Sequence, residues 1–148
     1  MRATSLSTTH PIDYSPTGKK ITYTNYDGTY HDTEIYTIKV GGGGKTNVTD
    51  NKTDDFDSSY SPNAKRIAYA GWDGHDLEIY TINASGTGKF QLTKNGTNDF
   101  TPSYSPDGKK IAYSTGNDIE SDIYTINVGG GGKSKVTEGS SPSWGSRP

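Results

Sequence analysis

Two aspartates, Asp55 and Asp99, each stand five residues ahead of a tyrosine, Tyr60 and Tyr104. Carboxylates delivered at one repeated place suit a hard cation, and calcium takes carboxylate and carbonyl oxygens. Acidic loop residues also cap turns, and Thr9 fills the corresponding place ahead of Tyr14. His31 and His75 share another place, five residues before Tyr36 and Tyr80, and could meet a metal or ligand; the third occurrence is Ile119, and an exposed loop accounts for both histidines equally. Tyr26 and Trp72 follow Tyr23 and Tyr69 by three residues, and rings at matched positions can stack on sugars. Glu34, Glu78 and Asp122 directly precede Ile-Tyr in every copy, which points to a structural hydrogen bond with a neighbouring turn or backbone amide.

Other chemistry is harder to place. Gly41 to Lys45 and Gly129 to Lys133 look like phosphate loops but lack the Walker spacing and a following helix. No Gly-x-Ser-x-Gly elbow occurs, and no histidine stands in a recognisable arrangement with a nucleophile and an acid. The expectation is therefore a protein without catalysis. Asp27-Gly28 and Asp73-Gly74 read as hairpin turns, although such loops also ligate calcium.

These residues recur because the chain repeats. Tyr-Ser-Pro occurs at Tyr14, Tyr60 and Tyr104, and Ser143-Trp144-Gly145-Ser146 begins a fourth entry. After each anchor come a turn and an alternating strand, at Lys20 to Tyr23, Arg66 to Tyr69 and Lys110 to Tyr113. A polar loop leads to a second strand, Glu34 to Ile38, Glu78 to Ile82 and Asp122 to Ile126. Glycine-rich turns then lead into Lys45 to Thr49, Lys89 to Thr93 and Lys133 to Thr137, making four strands per copy. β-Branched residues and tyrosine suit half-buried pleats, and Ser105-Pro106-Asp107-Gly108 supplies turn chemistry. Four-stranded units of about 45 residues repeated in line predict propeller blades around a channel.

The run Pro102 to Tyr113, with Asp122 to Asn127, resembles the WD-like repeat of the TolB propeller family. The resemblance covers residues 10 to 146 and departs at Asn63-Ala64 and Thr17-Gly18, where Asp-Gly is usual. It implies an all-β propeller of four-stranded antiparallel blades and, because such proteins are mostly exported by bacteria, a periplasmic or extracellular location. The first residues show no apolar export signal. The expected division is an N-terminal segment at 1–9, a possible partial outer strand containing Leu6, then blades at 10–55, 56–99 and 100–139. Residues 140–148 are expected to form a partial fourth inner strand or a tail.

Composition limits the partners. Fifteen basic residues against seventeen acidic ones leave no positive field for nucleic acid, and no apolar run is long enough for a membrane span. Aliphatic and aromatic residues make up only 28%, so shallow layers rather than one deep core are expected, with eleven tyrosines supplying much of the buried area. The absence of cysteine excludes disulfides. Three blades leave two raw sheet faces, whereas closed propellers need at least four blades. A homodimer of two three-bladed copies would complete a six-bladed ring. Such a ring is expected to act as a binding or assembly module for a protein or glycan, or to hold calcium at its channel beside Asp55 and Asp99. A lectin-like module, or a fragment of a larger hydrolase, is the alternative.

Overall fold

The computed structural model describes residues 12–117 and 119–144, and the chain forms β-strands with no helix among them. Leu6, Thr9, the 1–9 segment, the start of the 10–55 repeat, and Gly145 and Ser146 lie outside the described residues. Three antiparallel four-stranded meanders follow one another. Blade one comprises β1 (Asp13–Tyr14), β2 (Lys20–Asp27), β3 (Asp32–Lys39) and β4 (Thr46–Asn47). Blade two comprises β5 (Asp55–Tyr60), β6 (Arg66–Trp72), β7 (Leu77–Asn83) and β8 (Phe90–Gln91). Blade three comprises β9 (Asn98–Tyr104), β10 (Lys110–Gly116), β11 (Ser121–Asn127) and β12 (Ser134–Glu138). The sheets begin slightly ahead of the repeat boundaries read from sequence, because Asp55, Asn98 and Asp99 already pair with the next strand of their own sheet.

The serine of Tyr-Ser-Pro makes the first turn. Ser61 O accepts from Ala64 N at 2.9 Å, while its hydroxyl accepts from Arg66 N at 2.9 Å. Ser105 does the same for Gly108 and Lys110. The turn needs a left-handed residue, met by Gly18 at φ 70° and Gly108 at φ 73°, and Ala64 is held there at φ 62° without the glycine that would adopt it freely.

Alternation along the strands gives each blade one face toward the next blade and one toward the previous blade. Ile35 and Val48 of blade one meet Ile67, Tyr69, Tyr80 and Ile82 of blade two in one core. Ala68, Ala70, Ile79 and Leu92 on the other face of blade two meet Ile111, Tyr113 and Ile126 of blade three in a second. Small residues oppose large ones, so the sheets interlock as thin layers. Tyr69 stacks on Tyr80 with centroids 5.6 Å apart, and Lys89 Nζ sits 4.6 Å above the Tyr80 ring. The same ladder recurs as Tyr23–Tyr36–Lys45 and Tyr113–Tyr124–Lys133.

The two end faces lack this cover. Ile21, Tyr23, Tyr36 and Ile38 of blade one are only half-buried, whereas Ile67 and Tyr69 in the same places of blade two are fully buried. At the other end Ile123 is half-buried and Val136 is 60% exposed, against 0% for Ile79 and 7% for Leu92.

Candidate functional site

The sharpest polar constellation lies between blades. Glu34 on β3 accepts the Thr49 hydroxyl on one oxygen and Asn51 N at 2.7 Å on the other. The Asn51 amide then donates to Asp55 Oδ2 at 2.6 Å on the first strand of blade two. One blade later, Thr93 Oγ1 donates to Glu78 Oε2 at 2.6 Å, Asn95 N to Glu78 Oε1 at 2.5 Å, and Asn95 Nδ2 to Asp99 Oδ2 at 2.7 Å. The threonine hydroxyls also accept Ile35 N and Ile79 N. Each network therefore ties the outer hairpin of one blade to the inner strand of the next.

Burial dominates the electrostatics here. Glu34 and Glu78 are each pushed from 4.5 up to about 7, chiefly by loss of water, against the opposing pull of the Thr and Asn donors. Asp99 lies against Glu78 and adds to its rise. Asp55 is raised well above the ordinary carboxylate value, again mainly by burial. The buried Oδ1 atoms of Asp55 and Asp99 and the buried hydroxyls of Tyr69 and Tyr113 meet no hydrogen-bond partner of good geometry among the described residues, at matching places in both junctions.

Asp55 and Asp99 thus belong to the layer between sheets, at 1% and 0% exposure, rather than to an open channel mouth. The sequence placed them ahead of the innermost strand; they are part of it, and strand pairing turns them toward the previous blade. Carboxylates do converge on the adjoining hairpins, where Asp27, Asp32 and Glu34, and likewise Asp73, Asp76 and Glu78, bring ligand atoms within 4.8 Å of one another. Among the described residues these groups contain no histidine.

His31 is exposed at a left-handed turn position, φ 63°, and its Nδ1 lies 2.8 Å from the Tyr26 hydroxyl. The structure therefore brings Tyr26 and His31 together. His75 sits on the matching hairpin of blade two, 3.9 Å from Asp73, with its side chain 90% exposed. Trp72 does not mirror Tyr26 in surroundings, because it packs on Phe56 and Leu77 in a small satellite core.

Sequence reading missed Asn51 and Asn95 as the bridging residues. The available signal was Val48-Thr49-Asp50-Asn51 and Leu92-Thr93-Lys94-Asn95, each four residues ahead of the buried aspartate. The third copy breaks it with Gly139, and Asp122 pairs with Lys135 at 2.9 Å instead.

The inner strands line a concavity of about 500 Å³ formed by Asp13, residues 57–59, residues 101–103 and residues 141–143. Its wall is mostly hydroxyls and proline. Each complete inner strand kinks there at a left-handed residue, Asp57 at φ 58° and Thr101 at φ 50°, where the ladder register slips.

A model of the TolB beta propeller domain matches residues 3–147. The chain belongs to the TolB β-propeller family. No curated protein matches its sequence. Among solved structures, this TolB-type chain superimposes on a putative TolB from Agrobacterium tumefaciens with a TM-score of 0.79 at 19% identity, over 94% of the chain and 56% of that protein. TolB from Acinetobacter baumannii gives 0.72 at 23% identity, over 86% of the chain and 32% of the other. An oligogalacturonate lyase in complex with manganese gives 0.64 at 11% identity, over 84% and 38%. These likenesses establish the propeller fold, and the TolB-type chain spans about half or less of each relative. No helix among the described residues is long and apolar enough to cross a membrane.

Proposed function

We propose that this TolB-type chain is a non-catalytic assembly module whose three blades complete a six-bladed ring with a second copy. The observation that carries the reading is the complementarity of the two open faces. Blade one presents half-buried Ile21, Tyr23, Tyr36 and Ile38, the places that in blades two and three press on the preceding sheet. Blade three presents Ile123 and Val136, the places that receive such a face at both internal junctions. A two-fold axis makes both closing contacts at once. The completed ring would present its hydroxyl-lined channel and loop rim to a protein or glycan, outside the cytoplasm as in the periplasm or extracellular space. Further blades in the same polypeptide would satisfy the same faces, and a role within a larger hydrolase would then follow.

Sedimentation velocity over a concentration series tests the reading. A species of twice 15.9 kDa is expected, and a folded 15.9 kDa monomer at every concentration refutes it. Calcium binding is a second reading, supported by the repeated acidic hairpin groups. Calorimetric titration of calcium into the protein and into Asp73→Ala, a member of one such group, decides it, and absence of heat in both ends it.

A further inference from the structure

Residues 139–144 form no strand, yet Ser141 to Trp144 follow the course of a fourth innermost strand. Ser141 has φ 54°, repeating the kink of Asp57 at 58° and Thr101 at 50°. Its N–H donates to Ser114 Oγ at 2.8 Å on blade three. The Trp144 indole donates to Ser103 O at 2.9 Å, linking the same pair of repeat places that Asp13 and Tyr60 link between blades one and two at 2.8 Å. Trp144 also lies over the Ser105–Lys110 turn of blade three, as Tyr104 lies over the Ser61–Arg66 turn of blade two. By fold position, then, Trp144 fills on blade three the slot that an incoming inner strand would fill.

In a ring closed by a second copy, that incoming strand is β1. Tyr14 occupies the repeat place of Tyr60, Tyr104 and Trp144, and it is 59% exposed against 7% and 9% for the two buried tyrosines. The chain continues from Tyr14 directly into its turn, with Ser15 N bonded to Lys20 O, so β1 is tethered to its own blade. Among the described residues, the hydrogen bond that holds the Trp144 side chain in place is the single one from its indole to Ser103 O. Two aromatic residues cannot share one place over the same turn.

Resting on the dimeric ring proposed above, we infer that the fourth-strand slot of blade three is the seat for the inner strand of a second copy, and that Trp144 holds it closed in the monomer. Association must vacate the slot, so the apparent affinity falls by the fraction of molecules in which it is already empty. One indole hydrogen bond with its ring contact corresponds to about tenfold per slot, and two slots open per ring, giving about a hundredfold.

The test compares wild type with Trp144→Ala by sedimentation equilibrium and follows the Trp144 indole N–H by nitrogen-15 NMR, where Trp72 gives the only other indole signal. The dimer Kd of Trp144→Ala is expected about a hundredfold lower, and the Trp144 signal of wild type should move to a free-indole position as dimer forms. A variant that dimerises equally or more weakly overturns the inference, as does an indole signal that stays unmoved in the wild-type dimer; either leaves the ring itself intact. Monomers for both proteins at all concentrations overturn the ring reading, and this inference with it.

Discussion

Replacing Glu78 with Gln should make the decline of stability with rising pH shallower. Glu34 and Glu78 titrate near 4.5 when unfolded and at about 7 in the fold, so the folded chain holds protons that the unfolded chain releases. Their contribution is fully present below pH 4.5, is lost as pH rises through the interval to about 7, and stays lost above it. Moving one carboxyl from 4.5 to about 7 corresponds to at most about 3.4 kcal/mol. That figure is already net of the Thr and Asn donors, and solvent screening reduces it further, leaving about 1.5 kcal/mol per carboxyl and about 3 kcal/mol for the pair. Asp55 adds loss of the same sign.

Gln keeps an acceptor for Asn95 N while removing the ionisation, so Glu78→Gln should lie within about 1 kcal/mol of wild type at pH 5 and exceed it by pH 8. Urea unfolding at pH 5, 6, 7 and 8 at fixed protein concentration measures this directly. Glu34→Gln with Glu78→Gln should leave the slope that Asp55 contributes. A wild-type stability that rises between pH 5 and pH 8 would refute the reasoning, as would an unchanged slope in the variant, because both mean that the junction carboxyls are ionised without cost.

Asn95→Ala removes the donor to buried Asp99 and the caps on Thr97 N and Oγ1. A loss of about 3 kcal/mol is expected in urea unfolding, whereas exposed Lys94→Ala next to it should stay within about 0.5 kcal/mol. Ala64→Gly relieves a left-handed alanine at φ 62°. Relief of about 1–2 kcal/mol outweighs the added freedom of the unfolded chain, so the midpoint of thermal unfolding should rise by about 2 °C.

The amino-acid order alone determined the blade. Tyr-Ser-Pro fixes a turn through one serine, alternating Ile and Tyr fix strand faces, and the repeated spacing fixes that the sheets stack in line. These are local, periodic effects, so they are legible without a third dimension. What only the tertiary structure decided is where the polar repeats point. Asp55 and Asp99 lie ahead of Tyr60 and Tyr104 in the chain, but their neighbours come from the preceding blade, through Asn51 and Asn95 and the carboxylates Glu34 and Glu78. Matching sequence places likewise gave Tyr26 a histidine partner and Trp72 an apolar bed. The repeat already led to the expectation of a partial fourth inner strand at Trp144, but its hydrogen bond to Ser103 O was out of reach, since it joins residues far apart in the chain. Repetition specifies a local unit, whereas burial and hydrogen bonding of a side chain depend on which other unit is packed against it.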